Sequence, residues 1–299
     1  MKKIAVITLL SFSFYFGNAQ NLSPYIVGFE TNESVTAAQT KLVSQLELNG
    51  IKVVGQYQPA NDKNRAVIIF TANELESAVK TIGGLTGFAA TLRIGITNEN
   101  GKTIVSYTNP LYWGNAYFRN DFDKVVGSYT TLIEHLEKAM KASGEFTGKP
   151  FGSKHGLSVK DLRKYHYMMT MPYFEDVVEL ASFDNHAAAL DKIESALKKT
   201  VPNISMVYKV VIPGKELTLY GFAISGDKGE SKFLPIIDIS QPKHTAFLPY
   251  EVLVKDNKVL MLHGRYRIAL SFPDLTMMTF TKIMSTPGNI ESLLKQLVK

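Results

Sequence analysis

The sequence predicts an α+β fold made of two related domains, and two observations lead to this prediction. The first is a β-hairpin, in which Leu92–Thr97 and Lys102–Tyr107 are predicted strands joined by a turn at Asn98–Gly101. The second is a repeat of this plan further along the chain, at Tyr250–Lys255 and Lys258–His263. Each hairpin lies between an upstream and a downstream amphipathic helix, so the chain is expected to contain two halves of similar design.

The first half is predicted to run helix, two strands, short helix, hairpin and helix. Val35, Ala38, Leu42 and Leu46 recur at helical spacing, with Asn32 or Ser34 as the capping residue. The same rules predict the strands Ile51–Tyr57 and Ala66–Thr71, the short helix Asn73–Ile82 and a long helix that begins at Asp121.

The second half repeats this order. Asp184 is predicted to cap a helix, and Phe233–Ile239 takes the place of the short helix. Ser205–Ile212 and Glu216–Ala223 are the predicted strands before the second hairpin. After the hairpin an extra run, Tyr266–Ser271, follows, and a last helix follows Pro287. Arg265–Arg267 is interpreted as part of an edge strand, and contact with an anionic lipid or polysaccharide is the alternative. In each domain we expect an antiparallel sheet with helices packed on one side.

These patterns divide the chain into four predicted parts. Residues 1–19 form a signal peptide, and residues 20–143 form the first α+β domain. Residues 144–183 form a linker, because the stretch begins with Gly, Lys and Pro residues; a capping box at Ser158–Asp161 predicts a short helix within it. Residues 184–299 form the second, diverged domain.

The N-terminus has the pattern of an export signal. Lys2 and Lys3 precede the apolar run Ile4–Phe16, and small residues then allow cleavage after Ala19. The apolar run is shorter than the roughly 20 residues that cross a bilayer, although an uncleaved anchor is the alternative. The sequence therefore predicts a periplasmic or secreted protein that begins at Gln20 and has no transmembrane segment after cleavage.

The composition narrows the possible functions. Hydrophobic residues make up 45% of the chain and charged residues 20%, which is typical of globular domains. The chain has no cysteine, which excludes disulfides, thiol catalysis and thiolate metal sites. Its formal net charge is +6, but the basic residues are spread along the chain, so no nucleic-acid partner is predicted.

The first half resembles the bacterial family called domain of unknown function 302 (DUF302). The residues that carry the resemblance are the helix end and strand start Leu46–Lys52, the segment Gln56–Gln58, and the hairpin that closes at Asn109-Pro110. The resemblance covers roughly residues 33–140 and, more faintly, 185–298. It implies a compact α+β domain that is often dimeric and has no agreed activity. The second half has Gly264-Arg265 where the first has Asn-Pro.

From this resemblance we expect the two halves to pack as a pseudo-dimer within one chain, since each would replace the partner of a two-fold pair. The oligomeric state of the whole protein is not predicted by the sequence.

Aromatic and amide side chains are concentrated in the predicted loop Asn109–Phe118. Aromatic rings next to amides in a loop are typical of sites that stack on an apolar or carbohydrate-like ligand. The alternative is a loop folded over the sheet edge, with an indole that plugs the domain interface. The candidate ligand-binding residues are Asn109, Tyr112, Trp113, Asn115 and Tyr117.

A second cluster is His166, Met168, Met169 and Met171. Thioethers and an imidazole are ligands that suit Cu(I), so these residues are the candidate metal site. Methionine also fills irregular cores, and packing between the domains is the competing interpretation. Met277-Met278, beside Phe280, is interpreted as part of the core for the same reason. No cofactor is predicted.

Motifs for nucleophilic or metal-dependent catalysis are missing from the sequence, since there is no G-x-S-x-G and no H-E-x-x-H. The sequence therefore predicts an exported, non-enzymatic ligand-binding or interaction module that uses the aromatic loop or the cleft between the domains. The alternatives are a copper(I)-handling protein and an enzyme with no recognisable motif.

Overall fold

The computed structural model describes residues 21–299. The predicted signal peptide and its cleavage site, residues 1–19 and Gln20, lie outside the described residues. The described chain forms two antiparallel sheets, each with its own helices. This confirms the predicted α+β class and two-domain arrangement.

The first sheet has six strands in the order β2-β3-β4-β5-β1-β6. Its strands are β1 Tyr25–Thr31, β2 Lys52–Tyr57, β3 Arg65–Thr71, β4 Leu92–Glu99, β5 Lys102–Thr108 and β6 Lys149–Phe151. The helices of this part of the chain are α1 Val35–Leu48, α2 Asn73–Ile82, α3 Pro110–Phe118, α4 Val126–Ser143 and the short α5 Val159–Leu162. Helix α4 packs against α1 and α2, and α1 covers the sheet.

The second sheet has five strands in the order β7-β11-β10-β9-β8. Its strands are β7 Val178–Ser182, β8 Ile204–Val211, β9 Leu217–Ile224, β10 Tyr250–Lys255 and β11 Lys258–Met261. The helices are α6 His186–Lys198, α7 Glu230–Ile237, α8 Gly264–Ser271, α9 Met277–Lys282 and α10 Thr286–Leu294. Read from β8 to β7, this order matches the order of the first sheet from β2 to β1.

Short-range signals explain why the predicted elements form. Ser34 caps α1 by accepting a hydrogen bond from the Ala37 amide, and the apolar residues predicted for its inner face are buried. Both hairpins have two-residue turns. In the first turn, Asn100 and Gly101 have φ values of 53° and 83°, as a type I′ turn requires. The predicted turn at Asn98–Gly101 was too long, because β4 continues to Glu99.

Other predictions of local structure were also wrong. Asn109–Phe118 is not a loop, because Pro110–Phe118 is helix α3, with Asn109 as its N-cap. Arg265–Arg267 is not part of an edge strand but lies in helix α8, where Arg267 is buried. Met277 and Met278 are not core residues, since α9 has no buried side chain. In α3 and α8 nearly every side chain is buried, so neither has the polar face that marks an amphipathic helix.

The segment predicted as a linker contributes a strand to each sheet. Strand β6 pairs with β1 of the first sheet, and β7 pairs with β11 of the second. The short helix α5 forms where the capping box predicts it: the Ser158 hydroxyl accepts a hydrogen bond from the Asp161 amide and donates one to the Asp161 carboxylate. Residues 144–183 therefore combine a true connection with parts of both sheets.

The two domains cover each other's sheets in a reciprocal way. A 3-10 segment of the first domain, Gly84–Ala89, packs on β9 and β10, and a 3-10 segment of the second, Thr245–Phe247, packs on β3, β4 and β5. Each segment leads into the hairpin of its own domain. The approach is close, because a Cβ placed on Gly95 of β4 would lie 3.0 Å from the Ala246 amide nitrogen. This contact requires glycine or a shift of the backbone.

Among residues 21–299, no helix combines the length and apolar character needed to cross a bilayer.

Candidate binding cleft

A cavity of about 550 Å³ opens between the two domains. One wall is Phe151 at the end of β6 with the residues that follow it, up to Lys154. The other wall comes from the second domain, in the segment after α7 that ends at His244 and in Phe272–Thr279. A cleft between two domains is a common place for a ligand site.

One ion pair and one hydrogen bond attach the Asp238–His244 wall to the first domain. The Asp238 carboxylate accepts hydrogen bonds from Arg65 of β3 and from the His244 amide, the latter at 2.6 Å. The Lys243 amide donates to Glu99 of β4 at 2.9 Å. Because Asp238 and Glu99 are both buried, these contacts anchor the two ends of the wall.

The opposite side of the cleft is closed by a similar contact. The Lys154 amide donates a hydrogen bond to the Asp274 carboxylate at 2.7 Å. This bond connects the segment after β6 to the segment after α8, so the two walls have a fixed separation there. The Lys154 side chain is exposed and remains at the edge of the cleft.

His244 is a buried imidazole in the lining of the cleft. Its Nδ1 donates to the Ser271 carbonyl at 3.2 Å, and its ring stacks on Phe272 with centroids 4.8 Å apart. Burial lowers the pKa of His244, because the imidazolium form is poorly solvated there. At neutral pH the ring is therefore uncharged, and Nε2 is a hydrogen-bond acceptor.

The remaining lining combines apolar surface with neutral polar groups. Ile237, Phe272 and Leu275 supply apolar area, and Ser240, Gln241 and Thr276 supply hydroxyl and amide groups. An arrangement of this kind binds the apolar body of a small molecule and orients its polar end.

The aromatic residues predicted to bind a ligand lie in the core beside β1. The Trp113 side chain is 3% exposed, and its Nε1 donates to the Pro24 carbonyl at 2.9 Å. The Tyr112 hydroxyl donates to the Leu270 carbonyl of the second domain at 2.8 Å. Tyr117 stacks on Phe174, and burial raises its pKa to about 12. The faces of these rings are covered by protein.

The two predicted asparagines also hydrogen-bond within the protein. Asn109 accepts from the Leu111 amide and donates to the Ser23 carbonyl. Asn115 donates to the Leu111 carbonyl and accepts from Arg163. The five residues of this set lie together at α3, but none of them lines the interdomain cleft.

The candidate metal ligands are distributed over different surfaces. His166 stacks on Tyr173, with ring centroids 4.1 Å apart, and lines a groove beside Lys160. Met168 and Met171 line a separate apolar pocket, and Met169 is 92% exposed. In residues 21–299, no group of three or more His, Cys, Asp or Glu side chains is placed to hold a metal ion.

The residues of the cleft were not predicted from the sequence. They come from three segments far apart in the chain, and none of these carries a motif. The one available signal was the Gly- and Lys-rich stretch that includes Lys154, which was interpreted as a domain boundary.

Comparisons with known proteins give one structural similarity. No protein-family model matches the chain, and no curated protein matches it. A solved structure described as an uncharacterized conserved protein DUF302 from Bacillus stearothermophilus is similar over 40% of this chain and 97% of its own, with 13% sequence identity and a TM-score of 0.35.

Proposed function

We propose that this protein is an exported, non-enzymatic binding protein that takes a small molecule into the cleft between its two domains. The observation that carries the proposal is the cleft itself. It offers about 550 Å³ between two walls, one of which is attached to the first domain by the Arg65–Asp238 ion pair and by the hydrogen bond from the Lys243 amide to Glu99. A preformed cavity of this size is in the usual range for small-molecule sites.

The lining suggests the chemical class of the ligand. Apolar side chains cover much of the walls, neutral His244 supplies an acceptor or stacking surface, and Lys154 and Asp274 place one cation and one carboxylate in the lining. A small molecule with an apolar body and a hydrogen-bonding group matches these features.

We further propose that the two domains are diverged copies of one unit and that they form a pseudo-dimer. The matching strand orders and the reciprocal packing of Gly84–Ala89 and Thr245–Phe247 support this. Bulges at corresponding places in β2 and β8, at Val53/Gly55 and Met206/Tyr208, support it independently. The binding cleft would then be a product of the pairing, since neither domain contains both walls.

Native mass spectrometry of the exported protein is the first test. An N-terminus at Gln20 is expected, and a bound molecule that leaves on collisional activation would identify the ligand. An N-terminus at Met1 would contradict cleavage after Ala19.

A substitution in the cleft tests whether such a ligand binds there. Ser240→Trp places an indole in the cleft from an exposed position, and the added mass should disappear. Ser77→Trp, at an exposed position of α2, is the matched control and should keep the ligand. Equal occupancy in both variants would place the ligand elsewhere and contradict the cleft as the binding site.

His244 favours catalysis as a second candidate function, because a neutral imidazole in a cleft is a suitable general base. Hydrolysis of p-nitrophenyl acetate by the wild type, lost in His244→Gln with unchanged melting temperature, would support this candidate over simple binding.

A further inference from the structure

A smaller cavity of about 220 Å³ lies beside the interdomain cleft, and Leu275 lines both. Four of its lining residues are methionines, which come from two separate segments: Met168, Met171, Met277 and Met284. In the first segment the chain turns, with the Met171 amide donating to the Met168 carbonyl at 2.8 Å. The turn therefore presents both thioethers to one cavity.

These methionines remain partly exposed although their side chains are apolar. The exposed fractions are 38% for Met168, 52% for Met277 and 60% for Met284. Helix α9, which forms one side of the cavity, has no buried residue. Leaving this much apolar surface in water is unfavourable, and flexible methionines are typical of surfaces that adapt to an apolar partner.

Arg265 is the one charged side chain among the described residues that line this cavity. Arg265 is exposed and forms no ion pair within residues 21–299, whereas Arg119, Arg163 and Arg267 all do. Its guanidinium repels a metal cation and attracts an anion. An apolar cavity with a cation at its rim is complementary to an anionic amphiphile.

We propose that this methionine pocket binds a monomeric fatty acid, with the alkyl chain among Met168, Met171, Met277 and Met284 and the carboxylate on Arg265. The site is distinct from the interdomain cleft and goes beyond the proposed function. This pocket shares only Met168 and Met171 with the metal site predicted from the sequence, which also included His166 and Met169, and it binds an anionic amphiphile instead of a metal ion.

Calorimetric titration of the mature protein with hexanoate, octanoate and decanoate tests the proposal. Affinity should rise by about fourfold for each methylene until the pocket is full. Arg265→Gln should weaken decanoate binding by at least about tenfold, because it removes a charge-assisted hydrogen bond. The same variant should leave the binding of decanol unchanged, since decanol has no charge.

Matched variants separate this pocket from other surfaces. Met284→Gln should weaken decanoate binding, whereas Met206→Gln, on the exposed face of β8, should not. Lys154→Gln and Ser240→Trp alter the interdomain cleft and should also have no effect. Loss of decanoate binding in the cleft variants, but not in Arg265→Gln or Met284→Gln, would overturn the proposal.

Titration with silver ion distinguishes the metal alternative. Met171→Leu keeps an apolar wall of similar volume, so decanoate should bind within a few-fold of the wild type. Tight binding of silver that is lost in Met171→Leu and strengthened in Arg265→Gln, without decanoate binding, would overturn the proposal in favour of a soft-metal site. Binding to phosphatidylglycerol vesicles but not to dissolved decanoate would overturn it in favour of a membrane contact.

Discussion

Arg93 and Glu251 lie in matching rows of two different sheets and form an ion pair across the domain interface. In the first sheet, the cross-strand row that contains Arg93 starts two strands away at Gly55, the residue after the bulge in edge strand β2. In the second sheet, the row that contains Glu251 starts two strands away at Tyr208, the residue after the bulge in edge strand β8. Both side chains are almost completely buried. The contact between the domains therefore depends on a charge pair that water cannot reach.

Replacing Glu251 should be strongly destabilising. Its carboxylate also accepts a hydrogen bond from Arg267 at 2.9 Å and one from the Tyr208 hydroxyl. Glu251→Gln leaves two buried guanidinium groups without a counter-charge, and we expect a loss of about 3–5 kcal/mol in the free energy of unfolding. Chemical denaturation measures this loss.

An exposed ion pair supplies the control for Glu251. Glu179 accepts a hydrogen bond from Lys258 at 2.6 Å on the surface of the second sheet. Glu179→Gln should change the free energy of unfolding by less than about 1 kcal/mol. Equal effects of the two substitutions would show that burial does not determine the importance of the Arg93–Glu251 pair.

Glu230 should make stability depend on pH. Burial raises its pKa to about 7, although the Ala60 and Ile224 amides and the Tyr57 hydroxyl donate to it. The folded state therefore holds the proton more tightly than the unfolded state, whose pKa is near 4.5. The resulting stability is complete below pH 4.5 and is lost as pH rises through about 7.

Glu230→Gln should remove this pH dependence. The wild type should lose on the order of 3 kcal/mol relative to the variant between acid and neutral pH. Measuring both proteins by urea denaturation across this range cancels other groups that titrate there, such as His244. A constant difference between the two proteins would contradict the raised pKa.

Trp113→Ala tests whether the predicted ligand-binding residues belong to the core. Trp113 packs on Tyr25, Tyr112 and Tyr117 and is hydrogen-bonded to the Pro24 carbonyl. We expect a loss of about 3–5 kcal/mol in stability and a smaller loss for Trp113→Phe. A wild-type melting temperature combined with a weakened ligand would instead support the binding role predicted from the sequence.

Gly55 should tolerate no side chain. A Cβ at this position would lie 2.7 Å from the Val207 carbonyl oxygen of the neighbouring domain, so alanine must separate β2 from β8. Gly55→Ala should cost about 1–3 kcal/mol by thermal denaturation. Gly127→Ala is the contrast, because this exposed residue of α4 has nothing within 4 Å of an added Cβ and should gain up to about 1 kcal/mol.

The sequence predicted those elements whose signals are local. The cap at Ser34, the spacing of Val35, Ala38, Leu42 and Leu46, and the residues of the hairpins each report on a few neighbours along the chain. Helix α3 was missed because its side chains are buried on all sides, which removes the periodicity that reveals a helix.

The candidate sites could not be predicted from local sequence signals, for a related reason. His244 and Lys154 reach one cleft only after both domains have folded and packed. Met277 and Met278 looked like core residues because sequence shows hydrophobicity but not which surfaces stay open after packing.

The opposite charges of Arg93 and Glu251 also restrict which domains can associate. If two copies of the first domain met through this surface, two guanidinium groups would face each other in a buried environment with no carboxylate between them. In two copies of the second domain, each Glu251 would keep Arg267 but would lose its Arg93 partner. The first assembly would carry an uncompensated like-charge contact and the second would lack an ion pair, so each half disfavours association with its own kind. The buried charges thereby disfavour homotypic assemblies, whereas the pairing of the two different domains satisfies Arg93 and Glu251 together.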